Sequence, residues 1–527
     1  MTSKNTSQKN KFGTRISSAD FNAPDAHWSK VIADKILEIF PGEDMYTCAA
    51  GISPSGVVHF GNFRDVMTVH AVIKELEARG KKTKFIFSWD DFDRLRKVPA
   101  GVDASFEKYI GMPLSSIPDP LSEYPSYARR FEVEFENAMK DLGIDLEFRV
   151  QTDEYKKGVY DDLIIKAMQN RLEIADILLS FMTEKGKESK DLDEAKYREN
   201  FYPVSVYSKF SGKDNTKILN YDGKSTITYK CFDTGNEETI DFTQDHIVKL
   251  SWKVDWPMRW LFEGVVFEPG GKDHASPGGS YDTSSVIAKK IFDREAPIFV
   301  GYEFVGIRGL GAKMSGSKGN AISPAELLKI YEPELLKWLY LRRLPNQAFE
   351  LAFDTEIYRQ YDEYDREFKG NRIPFKQAVA FGQIMQWDEN KLIQFLKSVD
   401  LNYDESSISI RMQKARAWLE TYNPSEMIVL RSDINKDYVA TMSPESIANV
   451  QKFVAKLKEG VTTTEELEKV MYDIPKDTVL TDKENAPRQR AFFKDIYNLL
   501  ISVDTGPRLS TFLWALDRKK VLELLNM

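Results

Sequence analysis

Cysteine is nearly missing from this chain: Cys48 and Cys231 are the only two in 527 residues. Two thiols build neither a disulfide framework nor a four-cysteine zinc site, so a reducing cytoplasmic setting is the default and a structural metal is not expected. Long apolar runs are missing too. No uninterrupted apolar stretch of about 18 residues occurs, which excludes a membrane-spanning helix. Nor is there an excess of positive charge: 73 Lys and Arg stand against 81 Asp and Glu, a net charge of −8. The molecule as a whole therefore does not condense on polyanions, although a local basic face stays compatible with nucleic acid. The stretch MTSKNTSQKNKFGTRISSADF has no apolar run for a secretory signal and no repeating apolar face for an organellar transit peptide, and residues 1–27 read as a flexible tail. What is present is a folded composition, 42% apolar and 29% charged. A chain this long exceeds the roughly 250–300 residues that one core spans, so at least two domains follow.

Order begins with the helical spacing of Trp28, Ile32, Ile36, Leu37 and Phe40. A short apolar strand, Tyr46 to Ala50, then runs into a turn rich in Gly, Ser and Pro and a helix from about His59 to Ala78 that stops at Gly80. A second apolar strand, KFIFSWDD, completes a parallel unit whose ligand site belongs beyond the carboxyl ends of its strands. From about 102 to 245 the chain reads as an α+β insertion, in which TKILNYDGKSTITYKCFDTGNEETIDF alternates like a small antiparallel sheet. The main sheet is expected to resume at APIFVGYEFVGI. Ser323, Pro324 and Glu326 then suit an N-cap, a first helical residue and a capping-box acid. The remainder is helical, with a boundary between Pro345 and Ile373. The expected fold class is α/β: a Rossmann-like parallel-sheet catalytic domain over 28–345, then an all-α domain over 346–527.

Two segments suit phosphate. Pro54-Ser55-Gly56-Val57-Val58-His59-Phe60-Gly61-Asn62 lies where the first strand hands over to the first helix. Glycines allow close backbone approach, and the helix start offers unpaired N–H groups with partial positive charge. His59 and Asn62, three apart, share one helix face. The second segment, Gly311-Ala312-Lys313-Met314-Ser315-Gly316-Ser317-Lys318-Gly319-Asn320, has two lysines and two hydroxyls among small residues, and its ammonium groups can follow charge onto a leaving pyrophosphate.

PSGVVHFGN and KMSGSKGN are similar to the two signature motifs of class I aminoacyl-tRNA synthetases, of the general form HIGH and KMSKS. SWDDFDRLRKVP, LSWKVDWPMRW, FEPGGKDHASPGGSYDTS and GPRLSTFLWAL resemble class I lysyl-tRNA synthetase, and the likeness runs from about Trp28 to the C-terminus. The resemblance implies that ATP and lysine form lysyl-adenylate and pyrophosphate, after which the lysyl group passes to the 2′-hydroxyl of the terminal adenosine of tRNA(Lys). His59, Asn62, Lys313 and Lys318 are then the catalytic residues. ATP is held by Pro54, Ser55, Gly56, His59, Gly61, Asn62, Lys313, Met314, Ser315, Ser317 and Lys318, with Mg2+ bridging its oxygens. Gly316 stands where many relatives carry the second lysine, and Lys318 lies two residues later.

For the amino acid, the residues matching the family are Gly51, Ser53, Trp252 in a tryptophan-rich strand region, His274 and Tyr302. Trp256 competes with Trp252, and the four-residue spacing of Trp252, Trp256 and Trp260 also fits a buried helical stripe. Asp90 and Asp91 suit an amino group or a ribose, or equally a cap on the next turn. Many relatives carry a cysteine-rich zinc module in the insertion. Only Cys231 stands there in this chain, so no structural zinc is expected while the small sheet persists. The helical domain is expected to read the anticodon, with Arg508 the tRNA-binding candidate and Phe492, Phe493 and Trp514 as possible stacking rings or plain core. A monomer in the cytoplasm is expected. A small-molecule adenylyltransferase would share both phosphate motifs but has no use for the helical domain. A non-catalytic tRNA-binding paralogue would keep that domain and has no need of His59 or the loop lysines.

Overall fold

The computed structural model describes residues 13–21, 27–99, 102–184, 187, 191–276, 278–308 and 322–527. The chain divides into two compact units. One runs to Leu328 and takes in Leu336–Leu351; the other comprises Lys329–Leu335 and Ala352–Met527.

In the first unit, strand β1 (Arg15–Ile16) precedes helix α1 (Trp28–Ile39), β2 (Tyr46–Ile52), helix α2 (Phe60–Ala78) and β3 (Thr83–Trp89). Helix α3 (Tyr127–Asp141) then leads into β4 (Glu147–Val150). The order β10-β2-β3-β4, with β10 at Val265–Phe267, is parallel throughout. Parallel strands are covered on both faces and read as apolar runs, and β2 accordingly buries Tyr46 through Ala50. Helix α2 lays Val66, Val69, Ile73 and Leu76 against the sheet, and Gly80 follows it at φ +72°. Strands β11 (Gly270–Gly271) and β12 (Phe299–Tyr302) form a second parallel sheet with β1, in the order β1-β12-β11. A parallel bridge between Phe267 and Ile298 joins the two sheets.

The structure departs from the sequence reading in four places. Residues 13–21 are not a flexible tail: β1 pairs with Phe299 and Val300, and the Arg15 guanidinium meets Asp282 at 2.5 Å and the Ala275 carbonyl. Residues 1–12 and 22–26 lie outside the described residues. The insertion does not start near 102, because α3 and β4 extend the main sheet, with Phe87 opposite Phe148. The main sheet resumes at β10 rather than at β12. Trp252–Glu263 is a helix, not a strand, so the four-residue tryptophan spacing was the true signal.

The small antiparallel sheet forms as expected from β6 (Thr216–Tyr221), β7 (Thr226–Cys231) and β8 (Glu237–Asp241), beside the pair β5 (Val204–Val206) and β9 (Val248–Leu250). Ser323 caps the next helix, its Oγ accepting from the Glu326 N–H at 3.3 Å.

In the second unit every regular element from Ile357 onward is helical among the described residues. Its longest helix, Asp482–Ile501, opens with a reciprocal cap between Thr481 and Glu484. The rings of Tyr361 and Phe375 stack at 3.9 Å, and Trp418 is fully buried with its Nε1–H on the Phe353 carbonyl.

Candidate active site

The carboxyl end of β2 carries the site because the backbone comes unusually close there to its neighbour. A Cβ on Gly51 would lie 2.8 Å from the Ser88 carbonyl oxygen, so only glycine fits. The turn that follows is tied down from outside: Tyr127 donates its hydroxyl to the Ser55 carbonyl at 3.0 Å. Pro54, Ser55 and Gly56 shape this turn, and His59 ends it as the N-cap of α2, with extended backbone at φ −86° and ψ 164°.

His59 Nδ1 accepts from the Gly61 N–H at 3.0 Å, which fixes the tautomer and leaves the proton on Nε2. Gly61 is required beneath that ring, since a Cβ there would sit 2.8 Å from His59 Cε1. Burial lowers the His59 pKa, so the imidazole is a neutral donor at pH 7. Asn62 and Asp65 continue the same face. Asp65 is buried with Oδ1 lacking a hydrogen-bond partner among the described residues. Burial first, and then the charge of Glu268, push its carboxyl well above the usual range.

His59, Gly61, Asn62 and Asp65 form one wall of a cavity of about 1310 Å³ whose other wall holds Trp252, Trp256, Glu268, His274 and Tyr302. Trp252 and Trp256 stack at 4.9 Å, each about 6 Å from the His274 ring (6.1 and 6.0 Å). Both tryptophans thus face the cavity, and Trp260 is the core member of the stripe, fully buried with Nε1–H on Glu268 Oε2 at 2.7 Å. Burial lowers the His274 pKa and raises that of Tyr302 well above normal.

A second cavity, of about 590 Å³, shares Gly51, Ile52, Trp252 and His274 with the first and adds Ser53, Asp90, Asp93 and Lys249. Behind it runs a chain of buried charges. Arg259 Nη1 donates to Asp90 Oδ1 at 2.7 Å, and its Nε lies 3.2 Å from Asp255 Oδ2. Lys249 Nζ lies 3.4 Å from the same Asp255 oxygen and 3.0 Å from Asp93 Oδ1. Ser53 donates to Asp93 Oδ2 at 2.7 Å, and Tyr155 donates its hydroxyl to Asp255 Oδ1. Three carboxyl groups therefore meet two cations. Burial raises the Asp90 pKa against the pull of Arg259. At Asp93 burial acts the same way, but Lys249 and the Ser53 hydroxyl outweigh it and hold the carboxyl below its usual range.

Of the residues singled out in the sequence, Gly51, Ser53, His59, Gly61, Asn62, Asp90, Trp252, His274 and Tyr302 come together in these two adjoining cavities. Asp91 is directed elsewhere: its Oδ1 accepts from the Thr152 N–H at 2.9 Å, in the first turn of the helix Gln151–Lys156, rather than from the turn that follows it. Lys313, Met314, Ser315, Ser317 and Lys318 lie outside the described residues. In the second unit, Arg508 is exposed and paired with Glu468 at 2.7 Å. Phe492 is buried against Phe453, which makes it core, while Phe493 and Trp514 are half-buried. Asp65, Asp93, Lys249, Arg259 and Glu268 were missed. Only Asp65 carried a signal, its spacing of three from Asn62. Among the described residues no cluster of His, Cys, Asp and Glu is arranged to hold a metal.

Residues 26–379 match the family model described as tRNA synthetases class I (K). The chain is 36% identical over 570 residues to the lysine--tRNA ligase of Streptomyces coelicolor, covering 95% of this chain and 98% of that protein. To the lysine--tRNA ligase of Pyrococcus horikoshii it is 33% identical over 539 residues, covering 95% and 99%. Among solved structures, a glutamate tRNA ligase from Elizabethkingia meningosepticum matches with a TM-score of 0.47 at 11% identity, covering 91% of this chain and 98% of that one. A family model spanning most of the sequence, and relatives a third identical along nearly all of it, make this chain a member of the class I tRNA synthetases, in the family whose relatives are lysine--tRNA ligases.

Proposed function

We propose that this chain activates L-lysine with ATP and transfers the lysyl group to the 2′-hydroxyl of the terminal adenosine of tRNA(Lys). The observation that carries this reading is the pair of adjoining cavities in which the His59–Asn62 helix start faces the wall of Trp252, His274 and Tyr302.

In the first step a lysine carboxylate oxygen attacks the α-phosphorus, and the bond to pyrophosphate breaks. Such chemistry needs position and charge stabilisation more than a protein nucleophile. The His59 Nε2–H, the Asn62 amide and the α2 N-terminus supply donors for phosphate oxygens. ATP enters as its magnesium complex, the metal held by phosphates and water. Lys313 and Lys318, with Met314, Ser315 and Ser317, are assigned to the departing pyrophosphate on sequence alone. In the second step the 2′-hydroxyl attacks the lysyl carbonyl and AMP leaves.

Lysine brings an ammonium at each end. Gly51 and Ser53 serve one end, and the faces of Trp252, Trp256 and Tyr302 suit the other, since a cation over an aromatic face gains about 0.5–2 kcal/mol. The acid-rich cluster behind Asp90 favours a positively charged substrate over an acidic one. We assign catalysis to residues 28–345 and tRNA reading to 346–527 with Arg508, in a monomer acting in the cytoplasm.

The test is ATP–pyrophosphate exchange and tRNA charging with purified protein. Lysine is expected to be charged, and exchange to require tRNA. Charging with glutamate or cysteine in place of lysine overturns the assignment.

A further inference from the structure

The region between β4 and β9 holds two turns built on one plan. Ser208-Lys209-Phe210-Ser211-Gly212 and Cys231-Phe232-Asp233-Thr234-Gly235 each close with the glycine N–H donating to the carbonyl of the first residue, at 2.7 and 2.9 Å. Both glycines have positive φ, +71° and +78°, which glycine adopts without strain. Ser208 Oγ accepts from the Phe210 N–H at 3.1 Å, Ser211 Oγ from the Lys213 N–H at 3.3 Å, and Thr234 Oγ1 from the Asn236 N–H at 3.4 Å. The first and fourth side chains of both turns then meet. Ser211 Oγ and Cys231 Sγ are 3.6 Å apart, within hydrogen-bond reach, and the Ser208 and Thr234 hydroxyls approach the same sulfur closely enough to act on its thiol. Ser208 and Cys231 are buried.

Two pairs of residues, each spaced by two and lying about 20 residues apart, follow the ligand spacing of a tetrahedral zinc ribbon. Many members of the family that the sequence resembles carry a cysteine-rich zinc module in this region, and with Cys231 alone this chain is expected to have lost the metal. The donors do not fit it. Zinc in such sites takes thiolates and imidazoles, whereas three of the four positions here carry hydroxyls, which stay protonated and neutral at pH 7.

We infer that these turns are a zinc knuckle made metal-free: Ser208, Ser211 and Thr234 stand at ligand positions, and their hydroxyls, gathered at the Cys231 sulfur, replace the cross-link that a metal would make. The same hydroxyls leave a trace on the thiol. Burial raises its pKa, yet the hydroxyls of Ser208, Thr234 and Ser211 outweigh that and hold it at about 7.

The test uses the full-length protein and the triple variant S208C/S211C/T234C, with bound metal measured by elemental analysis and by Co2+ absorption. The parent is expected to bind zinc only substoichiometrically. The variant is expected to bind one equivalent, with the Co2+ bands of a tetrahedral thiolate site. One equivalent of zinc in the parent overturns the inference, as does a folded triple variant that takes up no metal. If the triple variant folds only when zinc is added, that supports the inference, because such sites couple binding to folding; failure to fold with zinc counts against it. An independent check needs no metal. Each single variant, S208C, S211C and T234C, is expected to form a disulfide with Cys231 on mild oxidation, detected by peptide mass spectrometry. A folded single variant that does not cross-link shows that the four side chains fail to converge.

Discussion

Each unit buries an arginine against carboxylate side chains, Arg259 in the first and Arg411 in the second, and the two are treated in opposite ways. Arg411, in the second unit, is saturated: Nη1 and Nη2 grip both oxygens of Asp365 at 2.6 and 2.7 Å, Nε donates to Glu332 at 2.7 Å, and Nη1 also reaches the Ile373 carbonyl at 2.7 Å. Arg259, in the first unit, makes one charged hydrogen bond to Asp90, and its Nε has no hydrogen-bond partner among the described residues. Its carboxylates are also shared, Asp255 with Lys249. A closed, fully paired guanidinium is a staple. An under-paired one marks an open cluster beside a cavity, where three carboxyl groups stand with two cations and the surplus acid leaves capacity for another cation.

Predictions that test this contrast can be ranked by size. Arg259→Met leaves buried carboxylates, and Arg411→Met half-buried ones, without their partner, so each should lower unfolding free energy by about 3–5 kcal/mol in denaturant titrations. Only Arg259→Met should also raise the KM for lysine, and equal lysine KM values in the two variants would erase the distinction drawn here. Next comes His59→Ala, on the cavity side of the comparison, with a 100- to 1000-fold loss of lysine-dependent exchange on the order of 3–4 kcal/mol. Its stability loss should be only about 1 kcal/mol for the missing cap.

A pH effect of intermediate size belongs to Asp91. Burial pushes its carboxyl up to about 6 from an ordinary value of 3.8. A raised folded pKa means that its favourable contribution is full below the unfolded value and is lost as pH rises through the folded one. The stability of the parent relative to Asp91→Asn should therefore fall between about pH 4 and pH 6, by roughly 3 kcal/mol. A flat difference over that range would show that Asp91 is not desolvated. The smallest effect is at Arg508, whose pair with Glu468 is exposed. Arg508→Ala should cost under about 1 kcal/mol. If the residue meets tRNA, the variant raises the KM for tRNA several-fold and leaves that for lysine alone.

What was legible in the sequence was local and strongly patterned. The β2–α2–β3 unit, the cap at Ser323 and the small sheet at Thr216–Asp241 all follow from runs whose period, turn residues and breakers agree. What was not legible was short or distant. Strand β4 has four residues, one exposed and the rest half-buried, so it carries too little apolar patterning to be seen. Strand β1 has only two residues, and its pairing with β12 depends on contacts across most of the first unit. Asp90 and Asp91 could not be told apart because neighbouring side chains at a strand end point to opposite sides. One meets Arg259 and the other the Thr152 amide. The Arg259–Asp90 bond spans 169 positions, a distance over which no periodicity speaks.

The bare α-carbon at residue 61 sets a limit on how this protein can be improved. Replacing glycine by alanine inside a helix ordinarily adds up to about 1 kcal/mol of stability. Here the added methyl would arrive 2.8 Å from the imidazole it lies beneath, so the ring must swing off its perch. A mutant Gly61→Ala would then gain a firmer helix and forfeit the aim of its histidine, and a screen for heat resistance alone would select in the wrong direction.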